Sequence, residues 1–195
     1  AISLFGSDTQ KADWLPKVQS GEALSAFALS EPHSGSDVAN VKSVARRDGN
    51  DYVINGQKMW ISTGMQADWI CMLVNTGEEN GPHRNKSLIV VPLNSDGITR
   101  HKLEKLGLHS SDTAQIFFDD VRVPAGNLIG EEGRGFIYQM EQFQEERLYV
   151  VARSLGIMQD ALDTTIEYTR DRQVFGKAVI DNQFVAFRIA EMQTE

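Results

Sequence analysis

The chain has 195 residues, of which 41% are hydrophobic and 24% charged, and its formal net charge is −8. This length suits one ordinary domain or one and a half, and the composition excludes a disordered protein. The excess of acidic residues argues against nucleic acid and anionic membranes as partners, although local backbone amides could still hold a phosphate group.

The cysteine and histidine content argues against disulfide and metal sites. A single cysteine, Cys71, cannot form a disulfide within the chain, which favours a reducing compartment. We interpret Cys71 as a small buried hydrophobic residue. The four histidines lack the spacing of metal ligands, so we expect no metal site. We also expect no membrane span and no signal peptide, and both ends read as cuts within a longer protein.

The first two thirds of the chain change from a helical to a strand pattern. Residues 8–20 have helical spacing that stops at Gly21. From residue 23 to about 122, Asp48-Gly49 and Asn55-Gly56 each predict a hairpin turn between alternating runs. Further strands are predicted in DWICMLVN, KSLIVVPL, ITRHKLEKLGL and AQIFFDDVRV, with a polar loop over residues 76–85. Short strands at this spacing predict a small antiparallel β-sandwich or barrel.

The last third returns to helical periodicity. Apolar residues at three- and four-residue steps predict one long helix from Gly135 to about Arg172. The stretch QVFGKAV interrupts the pattern, and Asp181 is a candidate N-cap for a second helix. The predicted fold class is therefore α+β, with a small β domain followed by long helices of a helical bundle. The predicted segments are 1–22, 23–130 and 131–195.

Four short blocks follow one another in order: ALSEPHSGSDV, NGQKMWISTG, FDDVRVP and RDRQVFGKAVIDNQ. With these blocks the chain resembles the acyl-CoA dehydrogenases, flavin enzymes that place a double bond between Cα and Cβ of an acyl thioester. The resemblance covers the end of the N-terminal helical domain, the middle β domain and the start of the C-terminal helical domain. Ser30 and Ser62 stand where Thr is commoner, while His33 and Asn40 also depart from the usual pattern. These departures bear on substrate fit more than on flavin binding.

The resemblance implies an FAD cofactor between the β domain and the C-terminal helices. The contacts it implies in the first two blocks are Phe27, Leu29, Ser30, Trp60, Ile61 and Ser62. Ser30 would meet the pyrimidine edge of the flavin, Trp60 would form an indole wall, and Ser62 would place a hydroxyl toward N5. The residues by themselves also fit a sandwich core with Trp60 as filling and two turn serines, but the ordered blocks favour flavin contact.

The fourth block implies contacts with a neighbouring subunit. By resemblance Arg172, Phe175 and Gln183 touch the neighbour's FAD, Arg172 at the pyrophosphate and Phe175 near the adenosine end. This implies a homo-oligomer, commonly a homotetramer. Arg172 alone would equally fit a solvated cation at a helix end. The resemblance implies that Ser36 contacts the CoA side of the substrate. The alternative is that Ser36 closes a turn together with Asp37.

The dehydrogenation needs one carboxylate base to remove the proton from Cα. Most of the family carries this Glu on a later helix, whereas members resembling the isovaleryl- and long-chain-specific enzymes carry it directly before an Arg. The stretch FQEERL has that arrangement, so the resemblance assigns the base to Glu146, with Gln144 and Arg147 on the substrate side. On a helix Glu146 shares an apolar face that would raise its pKa, while Glu145 points about 100° away. A solvated acidic face is the alternative.

The sequence therefore predicts an FAD-dependent acyl-CoA dehydrogenase, an oxidoreductase of fatty acid metabolism. Its implied partners are an acyl-CoA substrate, an electron-transfer flavoprotein as electron acceptor, and further copies of itself. The expected compartment is the bacterial cytoplasm or, in a eukaryote, the mitochondrial matrix. The alternatives are a flavin monooxygenase or nitroalkane-oxidase-like member of the same fold, and a non-catalytic scaffold, which would bind no flavin.

Overall fold

The computed structural model describes residues 1–77 and 81–195, and these divide into two compact units, Ala1–Gln142 and Phe143–Glu195. Of the predicted polar loop, residues 78–80 lie outside the described residues. The predicted domain boundaries after residues 22 and 130 stay predictions. Within the described ranges, no helix combines the length and the apolar character needed to cross a membrane.

The first unit opens with two helices, α1 (Ile2–Phe5) and α2 (Asp8–Ser20), which confirms the helix predicted over residues 8–20. α2 begins with a capping box: Ser7 Oγ accepts from the Gln10 N–H at 3.2 Å, and Gln10 Oε1 accepts from the Ser7 N–H at 3.0 Å. It ends at Gly21, whose φ of 76° is in the left-handed region. These caps set both ends of α2 as the sequence predicts.

The strands of the first unit form one eight-stranded sheet. They are β1 (Ser25–Ala28), β2 (Val44–Asp48), β3 (Asp51–Ser62), β4 (Trp69–Asn75), β5 (Lys86–Pro92), β6 (Ile98–Lys102), β7 (Thr113–Pro124) and β8 (Leu128–Ile129). Their order is β6-β7-β3-β2-β4-β5-β8, with β1 paired to β4. The pairs are antiparallel except β1–β4 and β2–β4. The predicted α+β fold, a small β domain followed by long helices, is confirmed.

Strand β4 contributes alternate side chains to two hydrophobic clusters. Ile70 and Met72 belong to one cluster, and Cys71 and Leu73 to the other. Because both faces of the strand are covered, its sequence is a continuous apolar run rather than an alternation. The prediction that Cys71 is a buried hydrophobic residue is confirmed, since it is 4% exposed. Burial raises the pKa of its thiol to about 12.

One of the two predicted hairpin turns is wrong. Asp48-Gly49 does turn β2 into β3, with Asp48 opposite Asp51. Asn55-Gly56 instead lies inside β3, which continues to residue 62. Ser43 directly precedes β2 and lies close to Gly56. Gly56 is needed there because a Cβ atom would lie 2.7 Å from the Cα of Ser43. The glycine therefore serves a close backbone approach and not a turn.

Helix α3 (Gly135–Asp171) begins in the first unit and continues in the second, close to the predicted bounds. The second unit also holds a short hairpin, β9 (Gln173–Val174) and β10 (Lys177–Ala178), and helix α4 (Gln183–Thr194). The cap of α4 is Asn182, whose side chain accepts from the Phe184 N–H, and not Asp181 as predicted. Many large apolar side chains of this unit are exposed: Leu148, Tyr149, Val150, Val151, Leu155, Ile157, Met158, Tyr168, Val174, Phe175, Phe184, Phe187 and Met192.

Candidate functional site

The first two sequence blocks meet in space at a main-chain hydrogen bond. The Met59 N–H donates to the Ser30 carbonyl oxygen at 2.9 Å. This bond places Ser30, two residues after β1, beside Met59 near the end of β3, although the two are separated by almost thirty positions in the chain. The main chains of Ser30 and Trp60, the two central predicted flavin contacts, are therefore brought close together.

The polar residues after β1 form a tight turn and an exposed loop. Glu31 and Ser34 exchange two main-chain hydrogen bonds, at 2.7 and 3.0 Å. The buried Ser34 hydroxyl donates to the Asp37 carbonyl oxygen at 2.5 Å. The hydroxyl that closes the loop thus belongs to Ser34, and Ser36 is exposed. The segment is a turn, and its Ser36 side chain remains open for contact with a ligand.

Trp60 has an unusual backbone conformation and an open side chain. Its φ is 61°, and its side chain is 53% exposed. It lies in a bulge of β3, where Lys58 and Ile61 pair with Ile116 and Ala114 of β7. A bulky residue in the left-handed region stores strain of about 1–3 kcal/mol, and such strain clusters at functional sites.

The residues on either side of Trp60 face in different directions. Ile61 is 2% exposed and packs in the core, so only its main chain could meet a ligand. Ser62 is exposed, and its carbonyl oxygen accepts from the Thr63 hydroxyl at 2.6 Å. Phe27 and Leu29 are half-buried against the cluster that contains Cys71. The predicted flavin contacts therefore include both open and buried side chains.

Gly35 lies next to the Ser30 hydroxyl and has no side chain to cover it. A Cβ atom on Gly35 would stand 4.0 Å from Ser30 Oγ, which is ordinary van der Waals contact. Ser30 is half-exposed, and the indole of Trp60 is exposed. A hydroxyl, an uncovered backbone and an aromatic wall fit a planar heterocycle such as the flavin of FAD.

The turn that follows Ser62 is held from two sides. Asp112 accepts from the Met65 N–H at 2.8 Å and from the Gln66 side-chain amide at 2.6 Å. Arg100 Nη1 donates to the Met65 carbonyl oxygen at 3.1 Å. Because the turn's donors and acceptors are both satisfied by long-range partners, the end of β3 is held in one conformation.

A buried ion pair lies behind the site. Glu31 is 1% and Lys58 0% exposed, and Lys58 Nζ lies 2.9 Å from Glu31 Oε1. Burial lowers the pKa of Lys58 from 10.5 to about 8, against the opposing attraction of Glu31. Burial would raise the pKa of Glu31, but Lys58 and the hydrogen bonds to its carboxylate outweigh it, so that pKa lies below its usual value.

The predicted base and substrate contacts lie on α3 in the second unit. Gln144, Glu146 and Arg147 are exposed, and Arg147 Nη1 donates to the Phe143 carbonyl oxygen at 3.3 Å. Val150, one turn after Glu146, is 58% exposed. The assignment of the base to Glu146, with apolar surroundings in the intact protein, stays a prediction.

The three residues assigned to a neighbour's cofactor cluster around the β9–β10 hairpin. The Val179 N–H donates to the Arg172 carbonyl oxygen at 2.9 Å, which places Arg172 at the base of the hairpin. Phe175 forms its tip, with φ 53° and a fully exposed side chain. Gln183 is exposed at the start of α4. The hairpin therefore presents an aromatic ring and a guanidinium on its exposed surface.

Two family models match most of the chain. The acyl-CoA dehydrogenase middle domain matches residues 26–121, and the acyl-CoA dehydrogenase C-terminal domain matches residues 133–195. The chain belongs to the acyl-CoA dehydrogenase family. The middle-domain match contains both segments that meet at Ser30 and Trp60.

Individual relatives agree with the acyl-CoA dehydrogenase assignment. An acyl-CoA dehydrogenase of Bacillus subtilis is 38% identical over 194 residues, 99% of this chain and 51% of that protein. The mitochondrial isovaleryl-CoA dehydrogenase of rice is 39% identical over 189 residues, 97% of this chain and 46% of that protein. The crystal structure of an acyl-CoA dehydrogenase from Geobacillus kaustophilus has a TM-score of 0.89 at 46% identity, covering 99% of this chain and 51% of that one. The chain thus spans about half the length of these acyl-CoA dehydrogenases.

Sequence reasoning missed the Glu31–Lys58 ion pair and the turn that Asp112 and Arg100 hold. Lys58 lies an even number of residues after the buried Tyr52 and Ile54 in β3. Because alternate residues of a strand face the same side, it occupies a core-facing position. A lysine at such a position signals a buried partner. The signal was lost because Asn55-Gly56 was read as the end of the strand.

Proposed function

We propose that the protein of which this chain forms part is an FAD-dependent acyl-CoA dehydrogenase. The observation that carries the proposal is the hydrogen bond between Met59 and Ser30, since it joins the two segments that resemble flavin contacts. Bound FAD would supply the acceptor for the hydride that leaves Cβ of the substrate. The protein's own side chains bind the cofactor, orient the thioester and remove the proton from Cα.

The first unit supplies the contacts for the flavin ring. The Ser30 hydroxyl and the uncovered backbone at Gly35 would hydrogen-bond the polar edge of the ring, and the Trp60 indole would pack against it. Ser62 would direct a hydroxyl toward N5. Phe27 and Leu29 would form the apolar floor, and Ile61 would contribute its main chain. The strained conformation of Trp60 supports a functional rather than a filling role.

The second unit supplies the base and part of the substrate contacts. Glu146 would remove the proton from Cα, and its place directly before Arg147 on α3 supports this assignment. Gln144 and Arg147 would face the CoA side, together with Ser36 of the first unit. The planar guanidinium of Arg147 presents several hydrogen-bond donors, so it suits the phosphates of CoA.

The hairpin contacts imply that the site is completed by another copy of the protein. Arg172 would bind the pyrophosphate of the neighbour's FAD, Phe175 would pack near its adenosine, and Gln183 would hydrogen-bond to it. The full exposure of Phe175 at a strained hairpin tip supports a partner that covers it. The assembly would be a homo-oligomer, commonly a tetramer.

The electrons would pass from the reduced flavin to an electron-transfer flavoprotein. The compartment would be the bacterial cytoplasm or the mitochondrial matrix. The rival proposal is a monooxygenase or nitroalkane oxidase of the same fold, and the visible spectrum of the intact protein separates the two. Bleaching of bound flavin by an acyl-CoA without oxygen supports the dehydrogenase, whereas bleaching by a nitroalkane alone supports the rival. A protein that binds no flavin would be the scaffold.

Removal of the Trp60 indole is expected to weaken FAD binding about tenfold or more, because the ring would lose its aromatic wall. Trp60→Ala and Trp60→Phe are compared by titrating the apoprotein of the intact protein with FAD. Trp60→Phe keeps an aromatic face and should bind FAD close to normally. Equal FAD affinity in Trp60→Ala and the unmodified protein would show that the indole is core filling.

Loss of the Arg172 guanidinium is expected to weaken FAD binding by about 10- to 100-fold, the worth of a hydrogen bond to a charged group. The matched control is Lys177→Ala, which removes another exposed cation of the same hairpin. FAD affinity and the oligomeric state are measured together, the latter by analytical ultracentrifugation. A monomeric protein that holds FAD at normal affinity would contradict the assignment of Arg172 to a neighbour.

A further inference from the structure

A charged pair is fully buried where the two candidate flavin-binding segments meet. Lys58 Nζ and Glu31 Oε1 are 2.9 Å apart, and neither side chain is more than 1% exposed. Burial of two charges costs several kcal/mol per ion, and the cost is recovered only where the remaining hydrogen-bonding groups are satisfied. The groups that hydrogen-bond to Lys58 and Glu31 therefore show which chain segments the ion pair holds in place.

Lys58 and Met59 together tie three consecutive residues of one segment to the other. Its ammonium donates to the Leu29 carbonyl oxygen at 2.9 Å as well as to Glu31. The next residue, Met59, donates its N–H to the Ser30 carbonyl oxygen at 2.9 Å. Residues 29, 30 and 31 are thus each bonded to residue 58 or 59. Ser30 lies between the two groups that Lys58 holds.

Glu31 connects the same site to the approach to β2. Its carboxylate accepts from the Lys42 N–H at 2.6 Å and from the Ser43 N–H at 3.0 Å. His33 Nε2 lies 3.3 Å from Glu31 Oε2. The carboxylate therefore accepts from donors of two other chain segments, residues 42–43 and β3, which fixes its position.

We propose that Glu31 and Lys58 are positioning residues, which set the placement of Ser30 relative to Trp60 and thereby the affinity for FAD. The inference rests on the proposed function, because it concerns the same cofactor site. An apolar pair of similar size would serve stability as well as a buried ion pair or better. The bonds of this pair join the two flavin-binding segments to each other and to residues 42 and 43, so the pair instead serves the geometry of these segments.

The test compares two buried lysines of the first unit in the intact protein. Lys58→Met removes the bonds to Leu29 and Glu31. Lys86→Met is the matched control, since Lys86 is 1% exposed but donates to Pro82 and Asn85. Both variants should lower the unfolding temperature of the apoprotein, since both remove the hydrogen bonds of a buried ammonium group. Only Lys58→Met should also raise the FAD dissociation constant by at least about tenfold, the worth of one bond to a charged group.

The outcomes separate this inference from the proposed function. If the unmodified protein binds FAD and both lysine variants bind it with equal affinity, the pair is structural and the inference is overturned, while the proposed function stands. If the unmodified protein binds no FAD, the proposed function itself fails. A raised dissociation constant in Lys58→Met alone supports the inference.

The pH dependence of FAD binding tests the pair without any variant. Burial lowers the pKa of Lys58 to about 8, while Glu31 opposes this change and Lys86 adds to it. The charged or titratable groups that face the pair within the described part of the chain are Lys86 and His33. Above pH 8 the charge-assisted bond becomes a neutral one, which is about half as strong. The FAD dissociation constant should therefore rise several-fold between pH 7 and 9.5.

Stability should respond to Lys58 with the opposite sign. The unfolded chain keeps the Lys58 proton up to about pH 10.5, whereas the folded protein releases it near 8. The contribution of Lys58 to the free energy of unfolding therefore grows as the pH rises from about 8 to 10.5, and it is absent below 8. A loss of FAD affinity over this interval thus cannot result from this titration acting through stability. A dissociation constant that stays unchanged from pH 7 to 9.5 would overturn the inference.

Discussion

Replacement of Glu146 by Gln is expected to slow the reduction of bound flavin by an acyl-CoA by roughly two to four orders of magnitude. The substitution keeps the shape of the side chain and removes its basicity, and general-base catalysis is worth about this much. FAD and acyl-CoA should still bind, because the amide has nearly the same size and shape as the carboxylate. The measurement is stopped-flow reduction of the flavin in the intact protein, with a panel of acyl-CoA thioesters of different chain length.

The control for this experiment lies one residue earlier on the same helix. Glu145→Gln removes an equal charge from α3, but its side chain points about 100° away from that of Glu146. We expect it to reduce flavin at close to the unmodified rate. A Glu146→Gln variant with near-normal flavin reduction would show that the base lies elsewhere in the protein, and Glu146 would then be a solvated residue beside Arg147.

Replacement of Gly135 by Ala is expected to destabilise the protein by about 3 kcal/mol or more. Gly135 is the first residue of α3 and is buried against β5. A Cβ atom there would lie 2.5 Å from the carbonyl carbon of Ser87 and 2.7 Å from the nitrogen of Leu88. These neighbours are main-chain atoms of β5, which is hydrogen-bonded to β4 and β8 and cannot move aside, so the overpacking falls at the costly end of its range.

The matched control is a second glycine of the same helix. A Cβ atom on Gly156 would meet nothing within 4 Å, so Gly156→Ala should raise stability by up to about 1 kcal/mol through helix propensity. Both variants are measured by urea unfolding of the intact protein. If Gly135→Ala were as stable as Gly156→Ala, the close packing of α3 on β5 would be wrong.

Local patterns in the sequence were sufficient to predict most elements of the fold. The capped helix over residues 8–20, the turn at Asp48-Gly49 and the long helix from Gly135 depend on neighbours within a few positions. Asn55-Gly56 was misread because a glycine permits both a turn and a close approach. The distinction depends on Ser43, which lies opposite Gly56 in space but well before it in the sequence. Local sequence patterns therefore predict that a helix or strand exists more reliably than they predict where it ends.

The candidate site also combines features that the sequence predicts with features that only the tertiary structure decides. The sequence blocks by themselves were enough to select Ser30, Trp60, Ser62 and Glu146 as candidates, because their type and order resemble a family. The left-handed conformation of Trp60 and the pairing of Glu31 with Lys58 were decided by the tertiary structure alone. The physical reason is distance along the chain. A bulge needs the partner strand β7, and a buried charge is tolerated only once a residue from another segment neutralises it.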